Sequence, residues 1–213
     1  MDFYKRSEMN KIHKLVVGSM QSNCYILSGG REAIVIDPGG DAQLILDKLK
    51  KLNTKCIYII NTHGHIDHIE ANNKIKNTTD AEILIHKKDA FMLTDSVSNL
   101  SAFFCNTPIS ISADRVLEDG DYIEISNLKL KVIHTPGHTQ GGICLLGDGF
   151  VFTGDTLFES GIGRTDFPGG SYKTLIDSIT KHLLVLKDDT VIYPGHGDIS
   201  TIGRERTNNP FLE

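Results

Sequence analysis

The segment HGHIDH, at residues 63–68, places three histidines and an aspartate within six positions of a 213-residue sequence that contains nine histidines. Residues two apart in an extended chain point the same way, so His63 and His65 can face one point in space. Asp67 and His68 follow at the start of a helical pattern and can face that point from the other side. Imidazole nitrogens and carboxylate oxygens are metal ligands. This loop therefore predicts ligands for two adjacent metal ions.

The same pattern recurs at three later strand ends, where an apolar run is followed by a small or rigid turn residue and one ligand-type side chain. The three side chains are His138 in KVIHTPGHT, Asp155 in FVFTGDT and His196 in VIYPGHG. Five histidines and two aspartates make a site without thiolate, which suits zinc, iron or manganese. Asp155 has two oxygens and can bridge two ions. The alternative, a polar helix cap with solvated histidines, does not account for this recurrence.

The remaining histidines do not share the pattern. His13 and His182 are predicted to be solvated surface residues, and His86 ends a strand with no ligand pattern around it. His134 lies just before a Pro-Gly turn. We expect it to hydrogen-bond near the site rather than to bind metal.

The elements that must position these side chains are mostly short strands. Runs rich in Val, Ile and Tyr and bounded by Gly, Asn or Asp predict them. They are HKLVV, CYILS, AIVID, CIYIIN, EILIH, DYIEI, LKLKVIHT, GICLLG, FVFTGD and TVIYPG. Helical periodicity covers DAQLILDKLKKL, HIEANNKIKN and SYKTLIDSITKHLLVL. Residues 94–113 have no clear period and are predicted to form a surface excursion that could line the site.

Strands outnumber helices, and helices follow strands in both halves of the sequence. This order predicts two sheets packed face to face with helices outside, although an open α/β sheet would also fit. No low-complexity linker divides the chain, so we expect a single domain over residues 1–213. The composition, with 39% apolar and 23% charged residues, is that of an ordinary globular protein.

Charge and hydropathy exclude several classes of partner. The net charge is −5, and no basic run predicts nucleic-acid binding. The polar start lacks the apolar core of a signal peptide, and no apolar run approaches the roughly 20 residues that span a bilayer. Four dispersed cysteines form no C-x-x-C pair. We expect at least three of them to be buried, Cys105 to be the most accessible, and the protein to be cytoplasmic without disulfides.

The T-H-x-H-x-D-H motif, followed by separated His138, Asp155 and His196, resembles the metallo-β-lactamase superfamily. The resemblance implies an α+β fold, a four-layer αββα sandwich with metals at the sheet edges. It implies one ion held by His63, His65, His138 and Asp155. It implies a second ion held by Asp67, His68, Asp155 and His196. The expected cofactor is two divalent ions, zinc first, with iron or manganese as alternatives.

Asp155 separates two groups within this resemblance. Zinc β-lactamases that carry the H-x-H-x-D motif have a cysteine at this position, whereas glyoxalase II-type hydrolases have a bridging aspartate. The strings GDTLFESGIGRTDFPGG and YPGHGDISTIGRERTNNPF are most similar to short glyoxalase II-like proteins. The resemblance implies that a metal-bound hydroxide cleaves an anionic acyl thioester such as S-lactoylglutathione, with Asp67 and Asp155 as catalytic residues. We expect a monomer or homodimer.

Three positions bear on the substrate. Arg164 matches the basic residue with which glyoxalase II holds the glutathione carboxylate, although a structural salt bridge is the alternative. Glyoxalase II continues into a helical glutathione-binding domain, whereas 17 residues follow His196 in this 213-residue sequence. Its C-G-H-E-Y string is P-G-H-G-D here, so Asp198 replaces a tyrosine that contacts substrate.

A rival resemblance is to the persulfide dioxygenases, which share the GRTDF string at residues 163–167. In that family one iron is held by two histidines and an aspartate. The matching positions are His63, His138 and Asp155. A non-catalytic binding module is a third alternative, which an intact ligand set disfavours.

Overall fold

Two six-stranded sheets form the framework of the protein, whose computed structural model describes residues 11–104 and 111–212. The first sheet contains, in spatial order, β1 (Lys11–Val17), β2 (Ser22–Gly29), β3 (Glu32–Ile36), β4 (Lys55–Asn61), β5 (Glu82–His86) and β6 (Arg115–Leu117). Its first three strands pair antiparallel, and β3 to β6 pair parallel. The prediction for Cys105 lies outside the described residues.

The later strands are β7 (Tyr122–Ile125), β8 (Leu128–His134), β9 (Ile143–Leu146), β10 (Phe150–Gly154), β11 (Leu157–Phe158), β12 (Gly161–Ile162), β13 (Val191–Pro194) and β14 (Ser200–Thr201). The second sheet has the order β14-β13-β10-β9-β8-β7. Its pairs are antiparallel except for the parallel pair β10 and β13. The strands β11 and β12 form a separate hairpin.

Alternating side chains of β2 show why the sheets pack face to face. Tyr25 and Leu27 join a buried apolar cluster with residues of the second sheet, including Phe152, whose ring lies 5.1 Å from that of Tyr25. Their neighbours Cys24 and Ile26 point to the opposite face. Because each face of the strand is apolar, the sheet is covered on both sides.

Helices form the two outer layers. In chain order they are α1 (Ala42–Leu52), α2 (Ile66–Ile69), α3 (Asn72–Thr79), α4 (Ser101–Phe104), α5 (Tyr172–Ser178) and α6 (Ile202–Asn208). The first and third pack on the outer face of the first sheet through Ile45 and Ile75. The fifth, continued by a π-helical turn over Ile179–Leu183, packs with α6 on the outer face of the second sheet through Leu175 and Ile202.

These layers confirm the predicted four-layer αββα sandwich and exclude the open α/β sheet. Each of the ten predicted strands is present. Cys24, Cys56 and Cys144 are buried free thiols, as expected. Among the described residues no helix is long and apolar enough to cross a membrane.

Candidate metal centre

The candidate ligands lie where four strands end at one edge of the sandwich. The strands β8, β10 and β13 run in the same direction, so their carboxyl ends share this edge. The end of β4 meets them there, because the backbone N–H of Ile143 donates to the carbonyl of Thr62 over 2.9 Å. All seven predicted ligands are therefore brought together at this edge.

The first group contains His63, His65 and His138, which are all buried. One nitrogen of each lies within 4.8 Å of the others. His65 Nδ1 and His138 Nε2 are 2.9 Å apart. His65 is in extended backbone, with φ −74° and ψ 152°, which directs it to the same point as His63, as predicted.

The second group contains Asp67, His68 and His196. His196 Nε2 lies 3.1 Å from Asp67 Oδ2, and His68 Nε2 lies 3.5 Å from the same oxygen. Asp67 and His68 belong to the single turn of α2, which begins two residues earlier than the predicted helix. The amide of Asn61 donates to the His68 carbonyl over 2.9 Å and holds this turn against the end of β4.

Asp155 lies between the two groups. Its Oδ1 is 3.3 Å from His68 Nε2, and its Oδ2 is 3.6 Å from His138 Nε2. The distance from Oδ2 to His196 Nε2 is 3.7 Å. The carboxylate thus faces histidines of both groups.

Hydrogen bonds behind the site fix which nitrogen of His63 and of His138 faces it. The Thr62 hydroxyl donates its proton to Asp37 over 2.7 Å and therefore accepts from His63 Nδ1 at 3.1 Å. His138 Nδ1 donates to the carbonyl of Arg164 over 2.7 Å. In both imidazoles the Nε2 lone pair is then free to face the site.

Asp37 is a positioning residue that the sequence analysis did not identify. It is buried at the end of β3 and accepts from the backbone N–H of Thr62 over 2.7 Å. Its Oδ2 lies 3.0 Å from His68 Nδ1. The string AIVIDPGG carries the same pattern as the other sites, an apolar strand followed by an acid and a Pro-Gly turn, so the rule that found Asp155 could have found it.

Asp89 is a second such residue, and it joins two ligand-bearing loops. Its Oδ2 accepts from the N–H of Gly64 at 3.3 Å and from the hydroxyl of Thr139 at 2.6 Å. Its Oδ1 accepts from the N–H of Gly141 at 2.6 Å. Burial raises the pKa of Asp89, against the effect of these hydrogen bonds. Nothing in the sequence KKDAF marks this residue.

Glycines allow the close packing around the carboxylate. A Cβ atom on Gly195 would lie 2.3 Å from Asp155 Oδ1 and 2.8 Å from His68 Cε1. A Cβ atom on Gly163 would lie 1.8 Å from the Asp155 carbonyl oxygen. All three distances are shorter than real Cβ contacts, so the turns after β12 and β13 require glycine.

His63, His65, Asp67 and Asp155 favour the protonation states that bind metal. Burial lowers the pKa of His63, and burial together with His138 lowers the pKa of His65 to about 3. Burial opposes ionisation of Asp67 and Asp155, but His68 outweighs it and holds both pKa values well below the usual carboxyl range. Neutral imidazoles and ionised carboxylates are the ligand forms.

Burial also opposes a charged His68, but Asp67, Asp155 and Asp37 outweigh it and raise its pKa. Three carboxylates around one buried imidazole make this part of the site negative, which favours a cation.

Buried polar atoms at the centre fit a metal. His63 Nε2, His68 Nε2 and Asp155 Oδ1 are buried and have no hydrogen bond of acceptable geometry. Leaving such an atom unsatisfied costs about 1–3 kcal/mol. Divalent ions coordinated by these atoms would satisfy all three, so the residues present fit the predicted cofactor.

A cavity of about 410 Å³ opens over the centre. Arg164 lines it, with 58% of the side chain exposed, and forms a two-pronged salt bridge with Asp166 at 2.8 and 2.7 Å. Asp198, which the sequence analysis marked as a substrate position, is exposed and does not line the cavity. Leu100 and Phe104 line it, so part of the segment 94–113 reaches the site as foreseen.

His134 and the segment 94–113 lie next to the candidate metal centre, and the structure tests what the sequence predicts for each. His134 Nε2 hydrogen-bonds to the carbonyl of Gln140 over 2.9 Å, within the loop that carries His138, and its ring stacks on His86 at 4.2 Å. This agrees with a hydrogen-bonding role near the site.

The surface prediction for residues 94–113 is wrong for Asn99 and Ser101, which are buried. Asn99 is anchored because its carbonyl accepts from the N–H of Ile66 over 2.8 Å.

Comparison with known families matches residues 17–196 to the Metallo-beta-lactamase superfamily. This range contains all seven candidate ligands. The chain belongs to the metallo-β-lactamase superfamily. The resemblance inferred from the sequence is thereby confirmed, and so is the fold.

Individual members of the superfamily are similar over nearly their whole length. The hydroxyacylglutathione hydrolase GloC of Haemophilus influenzae is 36% identical, with 94% of this chain and 97% of that protein covered. The crystal structure of BLEG-1 B3 metallo-beta-lactamase is 35% identical, with a TM-score of 0.90 and coverage of 95% and 99%. The structure of TTHA1623 in a di-iron-bound form is 30% identical, with a TM-score of 0.84 and coverage of 94% and 100%.

Proposed function

We propose that this protein is a metal-dependent hydrolase that cleaves a thioester in the manner of glyoxalase II, with two divalent ions, zinc first. The observation that carries this proposal is the position of Asp155, whose two oxygens face His68 and His138 of different ligand groups at 3.3 and 3.6 Å. The similarity to a protein named as a hydroxyacylglutathione hydrolase supports it.

The chain's own residues would hold the ions and orient the reacting groups. His63, His65, His138 and Asp155 would hold one ion. Asp67, His68, Asp155 and His196 would hold the other. The chemistry that such ions supply when bound is a water with a pKa near 7 instead of 15.7, together with polarisation of a carbonyl oxygen. Asp67 is ionised and lies in the cavity wall, so it can accept a hydrogen bond from an attacking water.

A thioester suits this cavity because its leaving group is a thiolate. Among the described residues that line it, Arg164 and the candidate ligands are the polar ones, so no lysine or tyrosine is present to protonate a leaving group. An amine leaving group needs that proton. A thiolate departs without it, because its conjugate acid has a pKa near 8.5.

Arg164 is proposed to attract the anionic part of the substrate. It lies on the cavity wall, and its guanidinium is 4.0 Å from the centre of the Phe167 ring. Its salt bridge with Asp166 supports the structural alternative equally. Arg164→Gln separates the two, since loss of substrate binding raises KM with kcat unchanged, whereas loss of a brace lowers stability.

A second candidate is an iron-dependent persulfide dioxygenase, which the GRTDF string and three of the same ligands favour. His138 Nε2 and Asp155 Oδ2 lie 3.6 Å apart, close enough to share one ion with His63. A β-lactamase activity is a third arm of the test, because BLEG-1 carries that name. The position of Asp155 between the two ligand groups favours thioester hydrolysis over both alternatives.

The deciding experiment combines metal analysis with three substrates. We expect close to two metal equivalents per chain and cleavage of S-lactoylglutathione or another acyl thioester, followed by release of the thiol. One iron per chain, with oxygen consumed on addition of glutathione persulfide, would overturn the proposal. Hydrolysis of a cephalosporin without hydrolysis of any thioester would overturn it in favour of a lactamase. The number of metal ions per chain is a firmer readout than the identity of the metal, because expression conditions influence which metal is loaded.

A further inference from the structure

The walls of the cavity over the metal centre are mainly apolar. Seven of its thirteen lining residues are apolar, among them Met20, Leu100, Phe104, Phe158, Ile162 and Phe167. Phe104 lines the cavity while 62% of its surface is exposed. Large exposed apolar side chains at a cavity favour contact with an apolar ligand group.

This apolar surface reaches the candidate ligands from both sides. The Phe167 ring packs edge-on against His65, with ring centres 5.5 Å apart. The Phe158 ring packs edge-on against His196, with ring centres 6.1 Å apart. A group bonded to the reacting carbonyl would therefore contact hydrocarbon directly.

Nearly all polar groups of the described cavity wall are already candidate metal ligands or part of a salt bridge. Five of the six polar lining residues are candidate ligands, and the sixth is Arg164. The guanidinium of Arg164 already bonds both oxygens of Asp166. Burying a hydroxyl group without a hydrogen-bond partner is unfavourable, because the group loses its hydrogen bonds to water. A hydroxyacyl group would thus find few hydrogen-bond partners among the described residues that line the cavity.

The size of the cavity indicates which half of a thioester it encloses. At about 410 Å³ it lies near the lower end of the ligand-pocket range of roughly 300–1,000 Å³. A tripeptide thiol carries several charged and amide groups and would need more room and more partners. The acyl group and the sulfur are the parts that fit.

We propose that the site selects thioesters with an apolar acyl group, of about the size of a hexanoyl chain, over those with a small hydroxyacyl group. This rests on the proposed thioester hydrolysis and names its substrate class. The thiol carrier extends toward solvent past Arg164 and contributes less to selection than the acyl group.

The test compares four thioesters on the full chain loaded with metal. They are hexanoyl and lactoyl esters of glutathione and of N-acetylcysteamine. We expect kcat/KM to be at least about tenfold higher for hexanoyl than for lactoyl on either thiol. A higher kcat/KM for the lactoyl esters, or equal values for both acyl groups, would overturn the inference.

Calorimetry separates failure of the inference from failure of the proposed function. S-hexylglutathione and S-(2-hydroxypropyl)glutathione are thioethers that cannot be hydrolysed. If no thioester is cleaved, the proposed function fails, yet tighter binding of the hexyl compound still supports the apolar pocket. Equal binding of the two compounds would overturn the inference whether or not thioesters are cleaved.

Variants of two phenylalanines in the cavity wall test whether these side chains cause the selectivity for the acyl group. Phe167→Ala and Phe158→Ala should each reduce the hexanoyl-to-lactoyl ratio of kcat/KM at least threefold. The ratio is measured within one preparation, so partial loss of folded protein cancels. Phe91→Ala is the matched control, because Phe91 is 54% exposed and does not line this cavity. An unchanged ratio in both cavity variants would contradict the inference.

Discussion

At the scale of single residues, the candidate metal centre depends on a layer of acids and hydroxyls behind the ligands. The Thr62 hydroxyl, bonded to Asp37, hydrogen-bonds to His63, and the carbonyl of Arg164 accepts from His138, while Asp37 lies 3.0 Å from His68. Such partners fix the ring orientation and the tautomer of a metal-binding histidine. The layer therefore decides how strongly the candidate ligands bind.

Asp155→Ala should remove both metals rather than one. The carboxylate faces both ligand groups, so its loss takes one ligand from each proposed ion. Elemental analysis after dialysis should find well under one equivalent per chain. Asp166→Ala, which changes an exposed acid near the cavity, should keep two. One fully occupied site in Asp155→Ala would show that the residue does not bridge.

Asp89→Asn should weaken both folding and metal binding. The amide nitrogen of asparagine cannot accept, so at least one of the three donors that converge on Asp89 loses its partner. A buried unsatisfied donor costs about 1–3 kcal/mol. Urea denaturation measures the change in the free energy of unfolding, and a competing chelator measures metal affinity. Asp198→Asn is the control at an exposed position, and equal behaviour of the two variants would contradict the role given to Asp89.

At the scale of elements, the site is built from strand ends followed by very short turns. Such turns give the side chain that follows each strand little freedom. The sequence pattern located the ends of β4, β8, β10 and β13 for this reason. It misplaced the helix after His65, because tertiary contacts decide where α2 begins. Ile66 bonds to the carbonyl of Asn99, a residue distant in sequence, and no local periodicity encodes that bond.

Gly195→Ala should disrupt the second ligand group. The added methyl would approach Asp155 Oδ1 to 2.3 Å, so the turn or the carboxylate must shift. We expect fewer than two metal equivalents and a loss of activity of more than tenfold. Gly161→Ala is the control, since its added methyl meets nothing closer than 3.7 Å. Full metal content in Gly195→Ala would contradict the close-packing argument.

At the scale of the whole molecule, most of the fold was predictable and its short elements were not. Continuous apolar runs identify strands such as β2 and β10, which are buried on both faces. The strands β11, β12 and β14 have two residues each, too few to show a period. Asp155 was predictable because it follows a strand directly. Asp89 was not, because its partners come from two loops that are brought together only by folding.

Removing metal should lower the stability of the entire protein. A ligand that binds only the folded state at about one hundred times its dissociation constant adds roughly 2.7 kcal/mol. For a chain of this size that corresponds to a fall in Tm of roughly 5–10 °C on chelation. Differential scanning calorimetry with and without a chelator measures it, and re-addition of zinc should restore the original Tm. The Asp155→Ala variant should show no such change.

The parallel pairing of β10 with β13 has a consequence for the order of assembly. His68 and His196, which belong to the same ligand group, are separated by more than half of the chain, and they meet only after the crossover through α5 has brought β13 beside β10. A metal ion bound by both residues would close a long loop of the chain. The entropy cost of closing such a loop rises with its length. A nascent chain should therefore acquire its complete metal complement last. Intermediates in which β13 has not yet paired with β10 would be the forms most exposed to proteases and to the wrong metal.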